Sequence, residues 1–294
     1  MLKALTAFGS GLVLTFAFAP YGQWWLAPVV LAVLFSLWLD ATPAQAFVRG
    51  WAFAAGLLGL GTIWIHHSMS VFGGMPLPLA LLLALLLAAL MAIYYGLAGY
   101  LAARLTPNAA LPRSVAAAAL AVVAMEWLRG WLLSGFPWLS MGYSQIDSPL
   151  SGFAPLGGVL LLSLLIAVTA ALLLVLFKGE RRQRFAAAAL IILIWTSGQL
   201  LVGREWTQPS GAALKATLLQ ANIPQDQKWL PQMLEPTLEY YTTRTFRHLD
   251  SDLLLWPESA VTALKRRLDE PLLKPLSARL EAHGALLVTG ILTN

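Results

Sequence analysis

The apolar run LALLLALLLAALMAIYYGLAGYLAA, residues 79–103, decides the fold class of this chain. It contains 25 residues and no charged side chain. An α-helix of about 20 apolar residues crosses the hydrocarbon core of a bilayer, whereas a surface helix of a soluble protein carries a polar face. The run therefore predicts a membrane-spanning helix.

Six further apolar stretches before residue 204 are long enough, or nearly long enough, to span a bilayer. They are residues 4–19, 24–39, 47–65, 114–133, 154–177 and 185–202. The first two are short and are separated by Pro20 and Gly22, so a helical hairpin is an alternative for them. Because the second stretch begins four residues after Pro20, we expect a retained first span rather than a cleaved signal peptide. We predict a polytopic α-helical membrane bundle of seven spans over residues 1–203.

The composition agrees with a membrane protein. Hydrophobic residues make up 59% of the 294 residues and charged residues 11%, against roughly 25% charged residues in a soluble domain. The net charge of +5 lies in the first 203 residues, which hold nine basic and four acidic side chains, while the remainder holds ten of each. We therefore expect the lipid bilayer, and no nucleic acid, as a partner. There is no cysteine, which excludes disulfides and a thiol nucleophile within these residues.

The loops between the seven stretches differ in their basic residues. With the N-terminus in the cytoplasm, the inner segments hold Lys3, Arg49, Arg104, Arg113, Lys178, Arg181, Arg182 and Arg184. The outer loops, residues 20–23, 66–78 and 134–153, hold none. Cytoplasmic loops are enriched in Lys and Arg, so this asymmetry predicts a cytoplasmic N-terminus. Seven spans then place the chain after residue 202 on the opposite side, which in a bacterium is the periplasm.

Two charged residues interrupt the stretch 114–133. Glu126 and Arg129 have a spacing that puts both on one face of a helix. A charge buried in a membrane is costly, so mutual pairing is one interpretation, and a role in binding a lipid headgroup or substrate is the other. His66 and His67 diverge on a helix, which favours interfacial histidines over a metal site. We expect no metal and no cofactor.

The outer loop of residues 134–153, called the aromatic loop from here on, has an unusual composition. It contains Phe136, Trp138 and Tyr143, and Gly135 lies among residues that form turns. Aromatic side chains at the headgroup level of a membrane are common, and this is one interpretation. The other is a re-entrant wall that contacts an acyl chain.

After residue 211 the long apolar runs give way to short ones that alternate with amphipathic stretches. Residues 213–221 are predicted to form a buried strand, 236–249 a helix, 253–256 a strand, 268–283 a helix and 285–292 a third strand. This alternation indicates an α/β domain over residues 212–294.

Glu258 follows the second predicted strand, where chemically active side chains of α/β sheets are found. It is interpreted either as an exposed turn carboxylate or as an acid at the start of a helix, with Ser259 as a cap. Alternatively, a carboxyl held in an apolar environment beside Trp256 and Pro257 would be suited to act as a general base.

Seven short motifs occur along essentially the whole chain, namely Phe18-Ala-Pro-Tyr21, Phe72-Gly-Gly-Met-Pro76, Glu126-Trp-Leu-Arg-Gly-Trp131, Gly135-Phe-Pro-Trp138, Gly142-Tyr-Ser-Gln-Ile-Asp147, Gln220-Ala-Asn-Ile-Pro-Gln225 with Lys228-Trp229, and Trp256-Pro-Glu-Ser-Ala260. In this order they resemble the bacterial apolipoprotein N-acyltransferase family. The last motif alone would indicate only the wider nitrilase, or carbon-nitrogen hydrolase, superfamily.

The resemblance implies a helical bundle in the bacterial inner membrane and a periplasmic nitrilase-like domain of the α/β/β/α type. It implies transfer of an acyl chain from a phospholipid, through a cysteine thioester, to the N-terminal amine of a diacylglyceryl-cysteine apolipoprotein, the final step of lipoprotein maturation. By motif position, Glu258 is implied as the general base and Trp229 as a residue needed for activity. The family's membrane-facing loop, which is implied to contact the acyl chain or substrate, matches Gly135, Phe136, Trp138 and Tyr143.

The chain departs from the family's pattern in its catalytic triad. The family also requires a lysine and a cysteine well downstream of Glu258, and no cysteine occurs in the 294 residues. Lys265 and Lys274 lie too close to Glu258 to match the family's lysine. We therefore expect the sequence to be part of a longer enzyme, and these residues alone to be unable to form the thioester.

Two other functions share parts of this pattern. A membrane-tethered nitrilase-type amidase would share Glu258 but would not need the aromatic loop. A transporter with an extracytoplasmic domain would be expected to show an internal repeat and polar residues near the membrane midplane, and the sequence offers little of either.

Overall fold

The computed structural model describes residues 1–293. The chain divides into two compact units, Met1–Thr207 and Gln208–Asn294. The first unit is helical, and the second contains short parallel strands together with helices.

The first unit is built from helices that coincide with the apolar stretches. They are α1 (Leu2–Leu14), α2 (Leu26–Leu39), α3 (Pro43–Gly61), α4 (Ile65–His67), α5 (Leu77–Met91), α6 (Ile93–Leu105), α7 (Leu111–Arg129), α8 (Ala154–Lys178) and α9 (Arg181–Leu201). Shorter 3₁₀ segments lie at Thr15–Ala17, Leu132–Ser134, Met141–Gln145 and Pro149–Phe153, and a π segment at Ser68–Phe72.

The helix ends follow local sequence signals. α3 begins at a capping box, in which the Thr42 hydroxyl accepts from the Gln45 amide and the Gln45 side chain accepts from the Thr42 amide. Pro43 occupies the first helical position, where no amide hydrogen bond is needed. α5 and α7 also carry a proline in their first turn. The apolar runs therefore determine the helix interiors, and prolines or a capping box mark the starts of α3, α5 and α7.

Four helical segments are long and apolar enough to cross a membrane, namely Leu77–Leu105, Leu111–Arg129, Pro149–Lys178 and Arg181–Leu201. A fifth is added if Pro43–Gly61 and Ile65–Phe72, which meet at a bend of 50°, form one span. Leu2–Ala17 and Leu26–Leu39 are apolar but shorter. The prediction of a helical membrane protein is confirmed, and the number of seven spans stays a prediction.

Glycines let α1 and α3 approach closely. A methyl group on Gly11 would lie 1.9 Å from the Phe53 backbone oxygen, and one on Gly56 would lie 2.3 Å from the Phe8 oxygen. Helices in membranes associate through close packing of this kind, because apolar burial supplies little driving force between them. A larger residue at either glycine would force the two helices apart.

In residues 208–293, two small parallel sheets lie beside three helices. Strands β1 (Ala216–Leu218), β2 (Leu253–Leu255) and β4 (Leu286–Val288) form one sheet in the order β1-β2-β4, and β3 (Val261–Leu264) pairs with β5 (Ile291–Leu292) in the other. The helices are α10 (Leu234–Arg247), α11 (Lys265–Leu268) and α12 (Lys274–Glu281), with a 3₁₀ segment at Pro231–Met233 and a π segment at Asp269–Leu273. The helix predicted at 236–249 and the strand predicted at 253–256 are confirmed within two residues.

Three predictions for the second unit need correction. Residues 213–221 do not form a buried strand, since β1 has three residues and Leu218 is 75% exposed. The helix predicted at 268–283 is interrupted at Asp269–Leu273, where Pro271 lacks a backbone donor. Residues 285–292 form two strands rather than one, because Thr289 and Gly290 separate β4 from β5, which pairs with β3 in the other sheet.

Candidate functional site

A buried polar cluster, defined here as Tyr95, Glu126 and Arg129, lies against the aromatic loop. Each of the three residues is at most 2% exposed. Glu126 and Arg129 belong to the last turns of α7, and Tyr95 belongs to α6. Charges buried in a membrane protein require hydrogen-bond partners, and both charges find theirs in the aromatic loop.

The Arg129 guanidinium binds two acceptors of the loop. Its Nη1 donates to the Trp138 backbone oxygen at 2.7 Å, and its Nη2 donates to the Ser140 hydroxyl at 3.3 Å. The Arg129 backbone oxygen accepts from the Phe136 amide at 2.7 Å. A planar guanidinium presents several donors in fixed directions, which suits two acceptors on one segment. Residues 136–140 are therefore fixed against the end of α7.

The Glu126 carboxylate extends this contact to the following residues. Its Oε1 accepts from the Met141 amide at 2.9 Å and from the Tyr95 hydroxyl at 2.9 Å. The next amide, that of Gly142, donates to the Ser163 hydroxyl of α8 at 2.9 Å. Through these bonds the loop connects α6, α7 and α8.

Glu126 and Arg129 do not pair with each other. Within residues 1–293 the ion pairs are Lys215–Asp250 and Lys274–Glu270. The prediction of mutual pairing is wrong, because backbone groups of the loop lie away from water and take both side chains as partners. Tyr95 and Ser163 were not predicted as site residues. Their sequence neighbours are apolar and do not indicate which group each hydroxyl will bond to.

The aromatic side chains of the loop are exposed, although its backbone is fixed. Trp138 is 50% exposed and Tyr143 is 48% exposed. The Trp138 ring stacks on Phe136 with centroids 5.7 Å apart and lies 6.2 Å from the ring of Trp64. Phe136 itself packs against the helical core. Such a surface is suited to contact an acyl chain or the headgroup region of a bilayer.

Two glycines determine the backbone path of the aromatic loop. Gly135 has a φ of 77°, and a methyl group on it would lie 2.2 Å from the Gly130 backbone oxygen. A methyl group on Gly142 would lie 2.1 Å from the backbone oxygen of Val159 in α8. α7 ends at Arg129 and not at the predicted residue 133, and Leu133 in the segment that follows has a positive φ of 54°. Gly135 therefore contributes to the loop through its backbone.

In the second unit, Glu258 lies at the carboxyl edge of the three-stranded sheet. Since β1, β2 and β4 are parallel, the segments that follow them leave the sheet at one edge. The Trp256 amide donates to the Val288 oxygen at 3.0 Å. A methyl group on Gly290 would lie 3.3 Å from the Glu258 Cα, so the segment after β4 packs against the Glu258 backbone.

The Glu258 side chain is exposed, and within residues 1–293 its carboxylate accepts no hydrogen bond and forms no ion pair. An apolar environment for this carboxyl is not observed, since Pro257 is exposed as well. The helix-start interpretation is wrong, because Ser259 has a φ of 51° and residues 261–264 form β3. The geometry is that of an accessible carboxylate on a turn.

Lys228 connects a second segment to this edge. Its Nζ donates to the Glu258 backbone oxygen at 3.2 Å. The following residue, Trp229, is 50% exposed. Within residues 1–293, no cluster of His, Asp and Glu side chains is arranged to hold a metal ion. The edge thus offers a carboxylate, an ammonium group and an exposed aromatic side chain.

Buried residues behind the edge position the Trp256-Pro-Glu turn. The Trp256 ring stacks on Tyr241 with centroids 5.0 Å apart, and its Nε1 donates to the Thr245 hydroxyl at 3.0 Å. The Tyr241 hydroxyl accepts from the Ala221 amide at 3.3 Å. These contacts join α10, β2 and the segment after β1.

The amino-acid sequence is similar to those of known proteins. Residues 10–172 match the model of the apolipoprotein N-acyltransferase N-terminal domain. Proteins named apolipoprotein N-acyltransferase are 41% identical over 99% of this chain in Methylococcus capsulatus, 42% over 98% in Pseudomonas syringae pv. tomato, and 35% over 99% in Vibrio cholerae. The chain spans 57% of the length of each of these relatives.

Proposed function

The chain belongs to the apolipoprotein N-acyltransferase family, and we propose that the protein transfers an acyl chain from a phospholipid to the N-terminal amine of an apolipoprotein. The observation that carries this proposal is the aromatic loop. Its Trp138 and Tyr143 are half-exposed on a backbone held by the buried polar cluster. Exposed apolar surface on an ordered segment indicates a binding site, and in a membrane protein a lipid chain is a natural ligand.

The proposed topology has seven spans in the bacterial inner membrane and a cytoplasmic N-terminus. Eight basic residues in the inner segments and none in the outer loops support it. α1 and α2 are short for spans, and a bilayer accommodates short apolar helices by local thinning. The second unit, as part of a nitrilase-like α/β/β/α domain, then belongs to the periplasm.

The proposed reaction has two steps. A cysteine thiolate attacks the ester carbonyl of the phospholipid, a C–S bond forms, the ester C–O bond breaks, and the lysophospholipid oxygen takes up a proton. The α-amine of the diacylglyceryl-cysteine then attacks the thioester, a C–N bond forms, and the thiolate leaves. This cysteine is implied by the family resemblance and is not among the 294 residues.

Glu258 is the proposed general base of both steps. It removes the thiol proton in the first step and the amine proton in the second. Its exposure at the carboxyl edge of the sheet supports this role, because a base must reach the proton that it removes. The Lys228 hydrogen bond to its backbone oxygen keeps Trp229 near the same turn, and Trp229 is proposed to contact substrate.

The remaining site residues act in the membrane unit. Trp138, Tyr143 and Phe136 are proposed to contact the acyl chain, and Gly135 to allow the turn that presents them. Glu126 and Arg129 are positioning residues, since they contact the loop backbone rather than its exposed surface.

A transfer assay with full-length protein tests the function. With phospholipid labelled in its acyl chain and a diacylglyceryl peptide, we expect lysophospholipid release and labelling of the peptide. Glu258→Gln keeps the shape of the side chain and removes the base, so transfer should fall by a factor of about 100 or more. Glu239→Gln, at an exposed site of α10, is the matched control.

Two results would contradict the proposal. Undiminished transfer by Glu258→Gln would remove Glu258 as the base. Hydrolysis of amides without release of lysophospholipid would instead favour the membrane-tethered amidase.

A further inference from the structure

A groove of about 400 Å³ lies between α7, α8 and α9, apart from the aromatic loop. Its size is within the range of roughly 300–1,000 Å³ that is typical of ligand pockets. Five alanines make its walls concave, namely Ala116, Ala119, Ala171, Ala186 and Ala187. Gln183 is a polar residue in an otherwise apolar lining.

The helix faces that line the groove are continuous. α7 contributes Pro112 to Leu120 at spacings of three, four and seven or eight residues, and α9 contributes Gln183 to Leu190 in the same pattern. Leu120 is 62% exposed and Leu190 is 46% exposed, so the groove is open along its side. An extended apolar chain, lying parallel to the helices, fits a groove of this form.

Basic residues lie at one end of the groove. Arg113 follows the lining residue Pro112, and Arg182 and Arg184 flank the lining residue Gln183. Lys178 follows the lining residue Val175 by three positions, which puts both on one face of α8.

The charge at this end is strongly positive. Residues 111–113 and 178–184 hold five basic side chains and one acidic one, Glu180, and five minus one leaves +4. Within residues 1–293 none of the five forms an ion pair. The Arg184 Nε donates to the Gly179 oxygen at 2.6 Å, which keeps its guanidinium at the turn between α8 and α9. An anion bound here would therefore contact basic side chains that are not already paired with a carboxylate.

We propose that this groove binds a diacyl phospholipid with an anionic headgroup, with one acyl chain against the alanines and the headgroup phosphate against Arg113 and Arg182. In the proposed topology these arginines belong to inner segments, so the site would take a lipid of the cytoplasmic leaflet. This site goes beyond the proposed acyl transfer, because its lipid is bound and not consumed. Zwitterionic lipid would fill the apolar groove equally well but would gain less from the basic end.

Native mass spectrometry of delipidated full-length protein in detergent tests the site. Dioleoyl phosphatidylglycerol and dioleoyl phosphatidylcholine have the same acyl chains and differ in headgroup charge. The ratio of their affinities therefore measures how much the basic residues contribute to binding. We expect phosphatidylglycerol to bind at least fivefold more tightly. Arg113→Gln with Arg182→Gln should remove that preference and bring the two affinities within about twofold of each other, because the basic residues are its source. Arg266→Gln, at an exposed arginine of α11, is the charge control and should have no effect.

Filling the groove with larger side chains tests whether its apolar part binds the acyl chain. Ala116 and Ala186 are exposed lining residues, so Ala116→Phe with Ala186→Phe blocks the groove without entering the core. This variant should bind both lipids at least fivefold more weakly. Ala189→Phe, at an exposed site of α9 outside the groove, should bind them normally.

Four outcomes would overturn the proposal. They are equal affinity for the two lipids in the unaltered protein, an unchanged preference in the variant that lacks both arginines, an equal loss of preference in Arg266→Gln, and equal weakening by Ala189→Phe. If the phenylalanine variant does not fold, the arginine variants still decide, because their side chains are exposed. Acyl transfer is not the readout, so failure of this proposal is distinguishable from failure of the proposed function.

Discussion

Replacing Arg129 with lysine tests whether the polar cluster fixes the aromatic loop. Nη1 and Nη2 of Arg129 donate to the Trp138 oxygen at 2.7 Å and to the Ser140 hydroxyl at 3.3 Å. Lysine keeps the positive charge, but its single ammonium group does not reproduce two donors in these directions. We expect the loss of one hydrogen bond to a charged group, which is a loss of about 1.5–3 kcal/mol.

Hydrogen–deuterium exchange of full-length protein measures this loss locally. The amides of Met141 and Gly142 are bonded to Glu126 and Ser163, so they exchange when the loop opens. If the opening free energy falls by about 1.5–3 kcal/mol, exchange becomes roughly 10 to 150 times faster, since each tenfold step corresponds to about 1.4 kcal/mol.

The control is Arg182→Lys, which makes the same change at an exposed arginine of α9. Unchanged exchange over residues 136–145 in Arg129→Lys would refute the reasoning, because the guanidinium would then not fix the loop. Equal acceleration in α3 would also refute it, since the effect would be a general loss of stability rather than a release of the loop.

Three further predictions concern stability and are measured by thermal unfolding of full-length protein. Trp256→Phe removes the buried hydrogen bond to Thr245 and should cost about 1–3 kcal/mol. Gly142→Ala places a methyl group 2.1 Å from a backbone oxygen of α8 and should cost about 1–3 kcal/mol. The hydrogen bond from the Lys215 ammonium group lowers the pKa of the Asp250 carboxyl. This interaction stabilises the folded protein above the unfolded pKa of about 3.9 and is lost as the pH falls through the lowered folded value, so Asp250→Asn should weaken the pH dependence below about pH 4.

Each stability prediction has a control that separates its cause. Thr245→Val combined with Trp256→Phe should cost little more than either change alone, and full additivity would contradict the hydrogen bond. Gly9→Ala introduces a methyl group that meets nothing within 4 Å beyond the nearby backbone of its own helix, and it should be close to neutral. If Asp250→Asn leaves the acid unfolding curve unchanged, the Lys215 contact is not maintained in solution.

Local sequence predicts the helices of the membrane unit well, because each depends on an apolar run, and α3, α5 and α7 also have a proline in the first turn. The interval between α2 and α3 is an example, since Thr42, Pro43 and Gln45 form the capping box from adjacent positions. The same holds for α10 and β2, whose hydrophobic patterns are long enough to be recognised.

Short elements were not predictable in this way. β3 and β5 have four and two residues, and two residues carry no periodicity. β5 exists because Val261 and Leu264 offer pairing partners about 30 positions earlier in the chain, so its assignment depends on the tertiary structure. The same pairing brings Gly290 against the Glu258 backbone.

The sequence by itself determines that this protein enters a membrane, where its apolar runs lie, and which ends of those runs carry the basic residues. These properties depend on composition and on neighbours a few residues apart. Only the tertiary structure decides what Glu126 and Arg129 do. Their partners, from Tyr95 to Met141, lie 9 to 31 positions away. Burial away from water requires the two charges and the loop backbone to find hydrogen-bond partners, and the fold brings them together.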